Sequence, residues 1–168
     1  MSQFLDQVED CVPALRRYAR ALTHDADLAD DLVQDCLERA IRKSSLWRPT
    51  GPLRAWLFRI LLNIHRNDLR HRRRIPQSLP IGDLMVEPQA PSASPGRLAL
   101  AETARAMQQL PVEQREALLL LALEGFSYTE AAAILKIPVG TLMSRLGRAR
   151  TALRSLTEEG GPKLRTLK

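Results

Sequence analysis

The stretch Ser127–Leu156, SYTEAAAILKIPVGTLMSRLGRARTALRSL, decides how the rest of the chain is read. Ser127 and Glu130 stand at the S-x-x-E spacing of a capping box, so a helix starts here with its first amides satisfied. Ala131, Ala132 and Ala133 leave room for another helix to cross closely, and Ile134, Leu135 and Ile137 supply apolar contacts around a turn. Pro138 cannot continue the first helix but is tolerated at the start of a second. Leu142, Leu146, Ala149 and Leu153 then recur at helical spacing as one buried stripe. The opposite face carries Thr141, Ser144, Arg145, Arg148 and, nearer its edge, Arg154. This is a helix-turn-helix. Short polar groups followed by arginines suit a second helix whose N-terminal part enters a major groove. A basic amphipathic helix alone is commonly just solvated surface; the capped helix and proline-marked turn before it favour DNA.

Charge distribution points the same way. Lys plus Arg number 25 against 19 Asp plus Glu in 168 residues, a net charge of +6, and the isoelectric point is near 10.0. The excess is uneven. Residues 1–40 hold nine acids and four arginines, whereas residues 48–74 hold eight arginines and two histidines against Asp68 alone. An acidic segment beside a basic one implies two partners, one basic and one a polyanion. No apolar run approaches the roughly 18 residues that span a bilayer, and the acidic MSQFLDQVED start lacks the pattern of a signal peptide. Cys11 and Cys36 read as buried thiols of a reducing cytoplasm. His24, His65 and His71 have no partners at metal-ligand spacing, and there is no glycine-rich phosphate loop or nucleophile elbow. The expectation is a non-enzyme with no cofactor, metal or small-molecule substrate, and no membrane insertion.

Composition divides the chain near its middle. Residues 75–96, IPQSLPIGDLMVEPQAPSASPG, contain five prolines and two glycines and read as a linker. A first domain occupies residues 1–74, a second residues 97–160, and a tail residues 161–168. Both domains are expected to be all-α, because no alternating strand pattern stands out. In the first, Val12–Leu22 reads as a short helix with Pro13 near its start. Asp25 is the expected N-cap of a second helix, with Leu28, Leu32, Val33, Cys36, Leu37, Ala40 and Ile41 as its apolar face. Its other face shows Asp30, Asp31, Gln34, Asp35 and Glu38, whose mutual repulsion a basic partner would relieve. After a loop with Trp47, Pro49, Gly51 and Pro52, a long helix from about Leu53 to Arg74 ends in RHRRR, more cations than its dipole needs. Phosphate contact explains them better. Trp56 and Phe58 are assigned to the core, and Trp47 is left open between core and stacking platform. In the second domain Leu98–Gln109 is helical, Pro111 opens the next helix, ALLLLAL is its buried side and Gly125 stands at its C′ position.

These segments resemble the sigma-70 family of RNA polymerase sigma factors, in its extracytoplasmic-function (ECF) group, over roughly residues 10–156. DLVQDCLERA (Asp31–Ala40) and PLRAWLFRILLN (Pro52–Asn63) with the following arginines are similar to the family's region 2, and Leu110–Arg150 to its region 4. The resemblance implies two small helical domains that bind core RNA polymerase and direct it to promoters. Asp31, Gln34, Asp35 and Glu38 would dock on the clamp helices of the largest catalytic subunit. Trp47, Asn63, Arg66, Arg70, Arg72, Arg73 and Arg74 would serve the minus-ten element, with the loop Leu46–Gly51 holding a flipped base. Thr141, Ser144, Arg145 and Arg148 would read the minus-thirty-five element. It also implies an anti-sigma factor as a further partner and a bacterial cytoplasmic location. Lys136 stands where the family usually has Gly, Met143 where Lys is frequent, and Asn67, with Asp68 after it, where Asp is common. Promoter sequence therefore does not carry over. A polymerase-independent helix-turn-helix regulator would explain the second domain but not the acidic helix. An RNA-binding or adaptor protein would explain only the arginine cluster.

Overall fold

The computed structural model describes residues 2–47, 51–74 and 94–160. Its elements are α1 (Ser2–Thr23), α2 (Ala26–Arg42), a 3-10 turn (Ser44–Leu46), α3 (Leu53–Arg74), α4 (Pro95–Gln109), α5 (Val112–Ala122), α6 (Tyr128–Leu135) and α7 (Val139–Gly160). The all-α reading holds among the described residues. α3 runs to Arg74; most of the expected linker, residues 75–93, and the expected tail, residues 161–168, lie outside them.

Three expectations need correction. The first helix does not begin near Val12 but at Ser2, with Pro13 inside it. Phe4, Val8, Cys11, Leu15, Tyr18 and Leu22 face the core at helical spacing through the proline. Pro13 is exposed, and the Glu9 carbonyl that it leaves without an amide partner belongs to another exposed residue. Pro95 and Gly96, assigned to the linker on composition, open α4, with Pro95 in the first turn where its missing N–H costs nothing. Ile41, placed on the apolar face of α2, is 50% exposed, whereas Leu32, Val33, Cys36 and Ala40 are buried.

Local signals elsewhere act as their chemistry requires. Asp25 Oδ1 accepts the Leu28 N–H at 2.9 Å and starts α2. α5 ends as the Gly125 N–H reaches the Leu121 carbonyl and the Phe126 N–H the Leu120 carbonyl, both at 3.1 Å, with Gly125 at φ +68°. The Gly125 bond is the 5→1 closure of an αL helix end. The capping box is reciprocal: Ser127 N–H donates to Glu130 Oε2 at 2.8 Å, and Glu130 N–H to Ser127 Oγ at 3.1 Å. Cys36 is buried at the α2–α3 contact. Its Sγ donates to the Leu57 carbonyl at 3.4 Å, and burial pushes the thiol up to about 12.

One continuous apolar core runs through both domains. Tyr18 of α1 meets Phe58 of α3, and Phe58 meets Phe126 after α5, each pair edge-to-face with centroids 5.1 Å apart. The Arg54 guanidinium lies 4.4 Å from the Phe126 ring centroid, capping this seam. Arg115 of α5 donates to Leu22 O at the end of α1, and to Met107 O, Gln108 O and Leu110 O at the end of α4.

Two predictions come from this packing. Lys136 closes α6 in the left-handed region (φ 55°, ψ 47°), where a Cβ is strained. Lys136→Gly is expected to raise stability by about 1 kcal/mol, read as a higher urea midpoint; a lower midpoint would contradict the strain. Burial lowers the pKa of His24 and His65 below the ordinary 6.5. The unfolded chain therefore takes up protons near pH 6.5 that the folded chain refuses. Stability is full above that pH and falls as pH drops below it. The urea midpoint should decline between pH 7.5 and 5.5, and His65→Gln should flatten the decline.

Candidate nucleic-acid interface

The acidic face of α2 stands open. Asp31, Gln34, Asp35 and Glu38 are all exposed. Glu38 accepts from Gln34 Nε2 at 3.3 Å and pairs with Arg42 at 3.0 Å, while Asp30 lies 3.8 Å from Arg20. Among the described residues no cation pairs with Asp31 or Asp35. Both border a cleft of about 330 Å³ whose far wall is Val112 and Arg115 of α5.

α3 presents a different surface. Its buried side, Leu57, Phe58, Leu61, Leu62 and Ile64, fixes the helix and leaves Asn63, Arg70, Arg72, Arg73 and Arg74 exposed. Arg66, expected to be free for bases, is instead held across the domain boundary. Its Nε donates to Glu116 Oε1 at 3.1 Å and its Nη2 to Oε2 at 2.6 Å. The hydrogen bonds to that carboxylate raise the arginine's own pKa. Trp47 is half-buried, its ring 5.7 Å from Phe4. It lines a groove with Trp56 and Pro52 on one side and Glu130, Ala133 and Ile134 on the other. Residues 48–50 of the expected base-holding loop lie outside the described residues.

On α7, Leu142, Leu146 and Ala149 are buried, which turns Thr141, Ser144 and Arg148 to solvent. Arg145 is half-buried and lines a cleft of about 240 Å³ opposite Arg66, Arg70 and Arg73. The two arginine-rich surfaces therefore face each other. Ala131 and Ala132 permit the close approach of α7, but Ala133 is exposed, and its carbonyl accepts from Arg59 Nη2 at 3.2 Å.

The sequence reading missed Glu116 and Glu124, whose side chains have no exposed surface. Glu124 receives Arg17 through Nε at 3.0 Å and Nη2 at 2.8 Å, and Arg54 Nη2 at 2.6 Å. The Tyr18 hydroxyl donates to the Glu116 carbonyl at 3.1 Å, and burial holds its pKa well above 10. The available signal was slight: a glutamate directly before ALLLLAL, where α5 has already turned its apolar side inward. Among the described residues no group of acids, histidines and cysteines has the arrangement of a metal site.

Known proteins resemble this chain in sequence and fold. Residues 8–62 match the family described as the Sigma2 domain of PhyR, and residues 100–153 match Sigma-70, region 4. The chain is 41% identical over 162 residues to the ECF RNA polymerase sigma factor EcfG of Rhodopseudomonas palustris, covering 94% of this chain and 89% of the relative. It is 37% identical over 161 residues to the RNA polymerase sigma factor CnrH of Cupriavidus metallidurans, covering 89% and 84%. Its fold is similar to the sigma factor RpoE in complex with the anti-sigma factor NepR from Bartonella quintana. The TM-score is 0.77 at 35% identity, over 94% of this chain and 98% of that one. With an acidic helix and a basic helix in its first domain and a capped helix-turn-helix in its second, the chain belongs to the ECF group of RNA polymerase sigma factors.

Proposed function

We propose that Asp31, Gln34, Asp35 and Glu38 dock this sigma factor on the basic clamp helices of core RNA polymerase, and that α3 and α7 take the two promoter elements. The observation that carries this is the pairing, on one chain, of an acidic helix face where Asp31 and Asp35 have no cation partner among the described residues with two separate arginine-rich helix surfaces. Polyanionic DNA satisfies the second kind of surface and cannot satisfy the first.

In this reading Arg70, Arg72, Arg73 and Arg74 hold phosphates at the minus-ten element. Trp47, Asn63 and Arg66 meet exposed bases there. Contacts available only to unstacked bases favour the open strand, so binding energy drives melting without any bond chemistry in this chain. Thr141, Ser144, Arg145 and Arg148 read the duplex of the minus-thirty-five element from its major groove. Nucleotidyl transfer belongs to the polymerase, and the setting is the bacterial cytoplasm. No helix among the described residues is long and apolar enough to cross a membrane. The Bartonella relative is held by an anti-sigma factor, and we extend a partner of that kind to this chain.

The primary test mixes the purified protein with sigma-free core polymerase and sequences transcripts from a pool of genomic DNA. Start sites sharing two upstream elements are expected; binding to duplex DNA without specific initiation would favour a polymerase-independent regulator. Asp31→Arg with Asp35→Arg should abolish core binding while the far-ultraviolet circular dichroism is retained, and unchanged core affinity would refute the docking role. Arg145→Ala should weaken promoter binding by about 1–3 kcal/mol if the contact is bidentate to a base. An equal loss on scrambled duplex would reduce Arg145 to a phosphate contact.

A further inference from the structure

The polar face of α7 has a neighbour on another helix. Glu113 and Gln114, in the first turn of α5, line a cleft of about 410 Å³ whose other wall is Thr141, Ser144, Arg145 and Arg148. Both walls belong to the second domain. Gln114 Oε1 is buried and, among the described residues, accepts no hydrogen bond. A buried acceptor without a donor carries a cost that a nearby N–H or O–H removes. Each α7 side chain across the cleft can donate, through a hydroxyl or a guanidinium. Glu113 is exposed, and it also shares with Arg145 the cleft toward Arg66, Arg70 and Arg73. Among the described residues neither Glu113 nor Arg145 belongs to an ion pair. An acid and a guanidinium thus border the same two clefts, both uncommitted.

A carboxylate is out of place on a surface that only attracts phosphate, because it repels every duplex alike. Beside an arginine that reads a base it has a use. A bidentate contact to guanine employs two of the five guanidinium N–H groups, and the others need acceptors once the docked duplex excludes water. We propose that Glu113 and Gln114 are positioning residues of the minus-thirty-five surface. They receive the N–H groups of Arg145 that the base does not use, and so fix the plane in which its guanidinium meets the base edge. This rests on the base-reading role assigned to Arg145 above. Side-chain rotations of the kind common on binding bring the three groups together. The pair favours selectivity over affinity: the Glu113 charge weakens binding to duplex of any sequence, while a guanidinium held in one plane rejects a base edge that lacks two acceptors.

The test uses holoenzyme reconstituted from the full-length protein and sigma-free core polymerase. It is incubated with a pool of duplexes randomised across the upstream element, the bound fraction is sequenced, and retention of the unselected pool is titrated with salt. The wild type should enrich one element. Gln114→Leu removes the acceptor at similar volume. It should lower selectivity roughly five- to tenfold at one base pair and leave binding of the unselected pool unchanged, and Gln114→Glu, which keeps an oxygen there, should restore the selectivity. Glu113→Gln should relax the same base pair yet bind the unselected pool roughly two- to threefold more tightly, a gain that a residue serving only the fold would not give. In an Arg145→Ala background neither change should affect that base pair further. If Gln114→Leu fails to fold, Glu113→Gln, at an exposed position, decides. Unchanged selectivity in the α5 variants would overturn the proposal. So would a loss that persists without Arg145, which would mean that Glu113 or Gln114 meets the base itself. Full selectivity in Arg145→Ala, or a wild type that enriches nothing, would instead overturn the assigned reading of the element and this inference with it.

Discussion

Two carboxylates, Glu116 on α5 and Glu124 just beyond its end, have no access to water, and that constraint organises the molecule. A buried, unpaired carboxylate costs several kcal/mol, so Glu116 and Glu124 have to find guanidinium groups. Helices α4, α6 and α7 give their side chains none, and α1 and α3 give three. The requirement sets where the second domain sits on the first. Tyr18, Phe58 and Phe126 then close edge-to-face between the two ion-paired points, and Arg115 ties the end of α1 to the end of α4. Because the guanidiniums are 27–51% exposed while the carboxylates are fully buried, each pair is wet on one side. Its Coulomb attraction is partly screened there, and its separation correspondingly easier.

The local chemistry of the fold was legible because it lies close together in sequence. An N-cap, a capping box, a glycine at a helix end and a stripe of leucines each involve residues within a few positions of one another. Asp25, Ser127 with Glu130, Gly125, and Leu142 with Leu146 behave accordingly. The start of α1 is not legible from Pro13, which by composition marks a boundary yet sits inside the helix on the solvent side, where its missing amide goes unmissed. Pro95 and Gly96 do not show their helical place in the sequence, because linker composition continues into the first turn of α4.

The surfaces divided similarly. The exposed acids of α2 and the polar face of α7 were visible from periodicity, since an amphipathic helix declares which side stays in water. Arg66 was visible as a cation but not as a committed one. Its partner lies 50 residues away in the other domain. Arg17 and Glu124 are separated by 107 residues. No local spacing encodes such a pairing, and an arginine on a basic helix looks free until its neighbours in space are known.

The groove beside Trp47 has an optical consequence. The chain has two tryptophans, and both Trp47 and Trp56 line this groove, facing Glu130, Ala133 and Ile134 of the opposing domain. The indoles are half-buried, held against Phe4 on one side and bounded by the second domain on the other. Parting the domains would wet one wall of the groove and leave the other in place. Intrinsic indole emission therefore originates entirely at the seam, so the unlabelled protein carries its own gauge of whether its halves are together.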